Sequence, residues 1–176
     1  ADFMMVCGDQ LFNQMAKITY MSGGQCNVPM VVRPPLGGGR SSAAQHSQSI
    51  HAWAAHIPGV KVVVPSTAGE CKGLLKTAIR DNDPVMFFEH KMLYTTKFND
   101  VPEVEEDVCI PFGRARIVAE GADITVVTNS MMTIKAEKAV RQLQKEGISA
   151  ELIDLRTIVP WTRDNHQVGE KDGASC

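Results

Sequence analysis

Short runs of apolar, mostly β-branched residues stand between segments that carry helix signals. That alternation limits the fold more than any other feature of the chain. The runs are Val28 to Arg33 (VPMVVR), Val60 to Val64 (VKVVV), Val85 to Phe88 (VMFF) and Ile124 to Thr128 (ITVVT). Runs of this length suit strands, and consecutive apolar residues suit strands covered on both faces. Before the first run, residues 9–20 place Leu11, Met15 and Ile18 at helical spacing, and Ser22-Gly23-Gly24 ends that segment. Residues 47–56 predict a second helix, closed by Pro58-Gly59. Thr67-x-x-Glu70 has the form of a capping box and opens a third helix that runs to Arg80. Residues 1–90 therefore predict a parallel sheet with helices packed on it, an α/β fold.

A second α/β unit is expected further on. Glu103, Glu105, Glu106 and Asp107, between Pro102 and Pro111, read as a surface linker. Arg116 to Val118 and Ile124 to Thr128 predict strands, 131–146 a helix with Gly147 at its C′ position, and Ile148 to Leu155 a further strand. After Trp161 the chain is polar and aperiodic. The expected organisation is a first unit over 1–95, a linker over 96–112, the start of a second unit over 113–163 and an unassigned tail over 164–176. The first residues, Ala1-Asp2-Phe3, read as a cut or processed end.

Charge and cysteine content remove several functional classes. Eighteen Lys and Arg face 20 Asp and Glu, a net charge of -2, so nothing points to nucleic acid or an anionic membrane. No apolar run approaches the ~20 residues of a membrane span. Cys7, Cys26, Cys71, Cys109 and Cys176 are odd in number and show no C-x-x-C spacing. That argues against a disulfide framework and a zinc site, and for small buried thiols in a reducing compartment.

The candidate chemistry is sparse. Gly37-Gly38-Gly39 continues as Arg-Ser-Ser, so it is not a P-loop, and it reads as a loop where backbone passes close to a ligand or neighbour. His46, His51 and His56 are five apart, which spreads them around a helix and disfavours a shared metal. His46 stands apart from the other two. It follows the glycine loop at a helix start, among Gln45, Ser47 and Gln48, where an imidazole can face a ligand and work near neutral pH. An N-capping, structural histidine is the competing reading. Asp81 and Asp83 flank a turn and lack the remainder of a calcium loop. Ser130 has no G-x-S-x-G context.

An ordered set of short segments is more specific. Phe3, Asp9-Gln10, Tyr20-Met21-Ser22-Gly23-Gly24, Ala44-Gln45-His46-Ser47-Gln48-Ser49, His56-Ile57-Pro58-Gly59-Val60-Lys61-Val62-Val63, Lys72-Gly73-Leu74-Leu75, Ile79-Arg80-Asp81-Asn82-Asp83-Pro84 and Ile153-Asp154-Leu155-Arg156-Thr157 follow one another along the chain. Together they resemble the beta subunit of the thiamine-diphosphate-dependent 2-oxo acid dehydrogenases, the pyruvate, branched-chain and acetoin enzymes.

The resemblance implies part of a pyrimidine-binding domain with a mainly parallel sheet, followed by part of a transketolase-type C-terminal domain. It implies oxidative decarboxylation of a 2-oxo acid, pyruvate foremost, with acyl transfer to a lipoyl arm. Acetoin, branched-chain and catalytically inactive readings are alternatives. Phe3 would pack on the aminopyrimidine of thiamine diphosphate, and His46 would be the catalytic histidine facing substrate or the lipoyl group. Met30, Ala78, Asp81 and Asp83 would form a structural potassium site, with Asp83 a departure from the usual Asn. The Gly-Asp-Gly motif for magnesium and diphosphate is absent, and an alpha subunit would supply it. The implied partners are that alpha subunit, in an alpha2beta2 assembly, and a lipoyl acyltransferase core. The implied compartment is the bacterial cytoplasm or the mitochondrial matrix. The segment 89–94 looks most like the bacterial pyruvate and acetoin types.

Overall fold

The structure, a computed structural model, describes residues 1–96, 108–161 and 174–175. The acidic stretch 103–107 and most of the tail after Trp161 lie outside them. The chain opens with a 3-10 turn (Met4–Cys7), a π-helical segment (Gln10–Met15) and α1 (Ala16–Met21). Then come β1 (Val31–Val32), β2 (Pro35–Leu36), α2 (His51–Ala55), β3 (Lys61–Val63), α3 (Ala68–Arg80), β4 (Val85–Phe87), β5 (Glu89–His90) and β6 (Val108–Cys109). The second unit comprises β7 (Arg116–Ala119), β8 (Ile124–Thr128), α4 (Ser130–Lys145), β9 (Ala150–Asp154) and β10 (Thr157–Val159).

The main sheet has the order β1-β4-β3-β10. β4 runs parallel to both β1 and β3, pairing Val62 with Met86 and Val63 with Phe87. Successive strand residues point to opposite faces. Accordingly Val62, Val64, Met86 and Phe88 pack with Met4, Leu11, Met15 and Ala54 on one side. Val63, Val85 and Phe87 pack with Leu74 and Ala78 of α3 on the other. Both faces are covered, as the unbroken apolar runs require. Each fully buried Val, Met or Phe contributes roughly 1.5–3 kcal/mol.

Local chemistry trims the expected elements. The strand expected over 28–33 shrinks to Val31–Val32, because Pro29 has no N–H and Met30 N–H turns back to Val28 O (2.8 Å). The helix expected over 47–56 divides. Ala44–His46 is a 3-10 turn, and α2 begins only at His51. So His46 closes a short turn and does not start a helix. Pro35 and Leu36, at the edge of the glycine loop, pair in parallel with Glu89 and His90. Thr67 caps α3 as expected, with the reciprocal Glu70 bond present. Gly59 (φ 99°) must be glycine, because a Cβ there would meet Ala16 O at 1.9 Å.

A smaller sheet, β7-β9-β8, is parallel between β8 and β9 and antiparallel between β7 and β9. Helix α4 covers it through Val140 against Ala150 and Leu152. Gly147 (φ 84°) ends α4, and Ile148 N–H bonds back to Leu143 O (3.0 Å). β10 was not expected. It leaves the smaller sheet and adds antiparallel to β3, so the second unit contributes an edge to the first. The cysteines also differ from expectation: Cys7 and Cys26 are exposed, and Cys109 is disulfide-bonded.

The two units also meet through buried charge. Glu70 Oε1 lies 2.7 Å from Arg116 Nε and accepts from Arg156 Nε at 3.0 Å. Its Oε2 accepts from the N–H groups of Ser66 (3.0 Å) and Thr67 (3.2 Å). Ser66 Oγ donates to Thr133 Oγ1 (3.1 Å). Asp154, fully buried, accepts from Arg156 N–H (3.1 Å) and faces the Arg116 guanidinium at 3.5 Å.

Candidate active site

The parallel strands end, at their carboxyl edge, in the segments that carry the candidate residues. α/β sheets place ligands at that edge. β1 runs on through β2 into Gly37-Gly38-Gly39 and the Ala44–His46 turn, and β4 runs on into β5 and Lys91. The opening residues of the chain lie against them. As a result the Phe3 and His46 rings meet, with centroids 5.5 Å apart and planes at 56°. Phe3 is 67% exposed and His46 is exposed too. Two aromatic rings left uncovered side by side form a surface on which a flat heterocycle can stack.

The loop that delivers His46 is unusual. Ala43 has φ 60° and ψ −179°, a region that L-residues avoid, and Ser41 has φ 55°. Each such residue costs about 1–3 kcal/mol and persists only where its surroundings over-determine it. Those surroundings are identifiable. Gly37 N–H donates to Gln48 O (2.9 Å), and Ser47 Oγ donates to Ala43 O (2.7 Å). Gly37 (φ 92°) lies against the His90 ring, where a Cβ would come within 2.2 Å of Nε2. His90 Nδ1 accepts from Met92 N–H (3.2 Å), so the neutral ring carries its proton on Nε2. Burial, together with Lys135, Lys91 and His51, lowers the His90 pKa and keeps the ring neutral. Beneath the loop Lys91 Nζ bonds both Asp2 Oδ2 and His46 O, each at 2.6 Å.

The residues named for a cation site gather at the opposite, amino edge of the sheet. Met30 precedes β1, Ala78 lies in the last turn of α3, and Asp81 and Asp83 lie between α3 and β4. Their oxygens already have partners. Met30 O accepts from Val85 N–H (2.9 Å) and Ala78 O from Asp81 N–H (3.3 Å). Lys61 Nζ sits 2.6 Å from Asp81 and 3.0 Å from Asp83. The side chains of both aspartates therefore serve an ammonium group. The backbone carbonyls keep a second lone pair each for a metal cation.

Two further features lie beyond the Phe3–His46 pair. A cavity of about 480 Å³ lies between the start of α3 and β5, lined by Ser66, Thr67, Cys71, Leu75, Glu89 and Tyr94 among others. Glu89 within it is held by Arg33 (2.7 and 3.1 Å). Burial, and then the Glu89 carboxylate, push the Cys71 thiol up to about 12, so it is no nucleophile. Ser130 occupies a strand-to-helix turn with φ 52°, is 4% exposed, and its hydroxyl has no partner among the described residues.

The clearest omission from the sequence reading is the Asp2–Lys91 pair. Asp2 adjoins Phe3 and Lys91 lies within the segment 89–94, but nothing in the sequence pairs the two.

Comparison with known proteins bears on the whole arrangement. Residues 1–97 match the transketolase pyrimidine-binding domain, and residues 113–174 match the transketolase C-terminal domain. The chain is 52% identical to the acetoin:2,6-dichlorophenolindophenol oxidoreductase subunit beta of Cupriavidus necator, over 93% of its own length and 47% of that protein's. It is 48% identical to a mitochondrial pyruvate dehydrogenase subunit beta of Oryza sativa, over 92% of its length and 44% of that protein's. The chain thus spans about half the length of the curated relatives it matches. A solved structure described as a split-gene transketolase, an inactive beta4 tetramer, superposes with a TM-score of 0.60. It is 26% identical and is covered over 48% of its length, with 85% of this chain.

Proposed function

The chain belongs to the transketolase-like family that includes the beta subunits of the pyruvate, branched-chain 2-oxo acid and acetoin dehydrogenases, and from that premise we propose that it forms part of such a beta subunit. In this reading the assembled protein oxidatively decarboxylates a 2-oxo acid, pyruvate foremost, and passes the acyl group to a lipoyl domain. The observation that carries the reading is the exposed Phe3–His46 pair, 5.5 Å apart at the carboxyl edge of the sheet.

The residues present fit thiamine diphosphate in one respect. Phe3 offers an exposed flat ring to the aminopyrimidine, where an ordinary core phenylalanine would be covered. When bound, the cofactor supplies a carbon nucleophile and an electron sink. This chain's part is to orient and to handle protons. Phe3 gives an apolar platform. His46 donates a hydrogen bond to, or exchanges a proton with, the substrate oxygen or the lipoyl sulfur. No Gly-Asp-Gly motif for magnesium and diphosphate occurs in the chain. An alpha subunit supplies it, in an alpha2beta2 assembly that docks on a lipoyl acyltransferase core. The setting is a bacterial cytoplasm or a mitochondrial matrix.

The test is turnover by the full-length polypeptide, assembled with its alpha partner, in thiamine diphosphate and Mg²⁺ with an artificial electron acceptor. Pyruvate is expected to be consumed, and the 176-residue chain alone is expected to consume nothing. Cleavage of acetoin is a second reading, favoured by the higher identity to the acetoin oxidoreductase subunit. Activity on acetoin without activity on pyruvate selects it. No activity on pyruvate, branched-chain 2-oxo acids or acetoin overturns both.

A further inference from the structure

Phe3 and His46 are both exposed, so neither is held in place by packing of its own ring. What fixes them lies underneath. Lys91 Nζ is 2.6 Å from Asp2 Oδ2, and these side chains are 15% and 8% exposed. The same Nζ donates to His46 O at 2.6 Å. The other Asp2 oxygen, Oδ1, accepts from Gln48 N–H at 3.1 Å. One ion pair therefore grips the chain on both sides of Ser47, and it does so from the residue that precedes Phe3. Burial opposes the charge on Asp2, but the bonds from Lys91 and Gln48 outweigh it and hold the carboxyl below its usual range.

From this geometry we infer that Asp2 and Lys91 are positioning residues, a clamp that sets His46 against Phe3 and against whatever binds there. The inference rests on the reading of His46 as the catalytic histidine. Lys91 itself does not reach the reactants, because two of its donors are committed and its side chain is largely buried. The strained Ala43 explains why a clamp is needed. Released from Lys91, the turn relaxes toward ordinary backbone angles and His46 moves. A displacement of about 1 Å in a catalytic group costs up to about 10²-fold in rate.

The experiment is a double-mutant cycle in the full-length protein assembled with its alpha partner. Reductive acylation of a lipoyl domain is measured for the wild type, Lys91→Met, His46→Ala and the double variant, with a thermal melt of each. The expected result is a loss of about 10- to 100-fold for Lys91→Met, with the melting temperature within a few degrees. In the His46→Ala background the same change is expected to cost several-fold less, because only Phe3 is then left for the clamp to position. Lys91→Arg, which keeps the charge and the donors, is expected to restore most of the rate. If Lys91→Met does not fold, Asp2→Asn takes its place with the same expectations. An equal loss in both backgrounds, or no loss while His46→Ala is crippled, overturns the clamp alone. A fully active His46→Ala overturns the reading of the site and the clamp with it.

Discussion

The joint between the two units and the candidate site use polar side chains in opposite ways. At the joint Glu70 and Arg156 are each 4% exposed and Asp154 is fully buried. Every oxygen of Glu70 has a partner, drawn from Arg116, Arg156, Ser66 and Thr67. At the site Phe3 and His46 face solvent with their rings against each other. A buried charge is tolerable only when its hydrogen bonds are made within the protein. An exposed imidazole keeps its bonding capacity for a ligand. The joint is therefore where the fold is stabilised, and the site is where bonding capacity is held open.

The largest expected effect tests that division directly. Glu70→Leu leaves the buried Arg156 without its carboxylate and strips the acceptor from Ser66 N–H and Thr67 N–H. Removing one partner of a buried pair costs about 3–5 kcal/mol. His46→Ala, at an exposed position, is expected to change stability by no more than about 0.5 kcal/mol while lowering reductive acylation by about 10²–10⁴. Urea unfolding of the full-length protein reads the first quantity and single-turnover acylation the second. Comparable destabilisation by both substitutions would erase the distinction.

A smaller effect separates the carboxylates of the two regions by pH. Burial raises Asp154 from its ordinary 3.8 to about 6, and the negative charge of Glu70 adds to it. Ser66, Arg116 and the Arg156 N–H pull the other way. The folded state thus binds the Asp154 proton more tightly than the unfolded chain does. Its contribution to stability is complete below pH 3.8 and is lost as pH rises through about 6. Asp2 does the reverse: its pKa is lowered, so its contribution is present above the ordinary value and lost as pH falls. Asp154→Asn is expected to remove the Asp154 part of the slope between pH 4 and 6. Asp2→Asn is expected to flatten only the acid limb below that window. Unchanged pH–stability curves in both variants would show that neither carboxylate is coupled to folding.

Much of this was legible from residue order. The strands appeared as apolar runs, the start of α3 as Thr67 and Glu70, and the end of α4 as Gly147. Phe3 and His46 were named from short segments. What spacing could not show is who meets whom across the chain. Glu70 reads as a helix cap from its neighbour Thr67, yet one of its oxygens serves Arg156, 86 residues away. Asp81 and Asp83 read as turn residues or cation ligands, and their partner Lys61 lies in a strand 20 residues before Asp81. β10 carries only Thr157, Ile158 and Val159, too short a run to announce a strand, and its place beside β3 is a property of the assembled sheet. Lys91 stands inside the family-like segment 89–94 and Asp2 beside Phe3, but their pairing across 89 residues leaves no periodic trace.

The smallest expected effect concerns the amino edge of the same sheet, which resembles the joint more than the site. Lys61 neutralises Asp81 and Asp83 there, through contacts of 2.6 and 3.0 Å. Burial lowers the Lys61 pKa, but the bonds to the two aspartates outweigh it, and the net shift is upward. With an ammonium already in place, a potassium ion finds mainly the carbonyls of Met30 and Ala78. The end of α3 adds a favourable field, since a helix C-terminus carries partial negative charge. Replacing tetramethylammonium by potassium at equal ionic strength is therefore expected to stabilise the full-length protein by only about 1 kcal/mol, the value for an ion several-fold above its Kd. Lys61→Met frees both carboxylates and removes the competing charge, so the potassium increment is expected to grow even as overall stability falls. Thermal melts of the two proteins in the two salts measure all four quantities. An increment that vanishes in Lys61→Met would mean that Asp81 and Asp83 serve only the lysine and that no cation is held beside it.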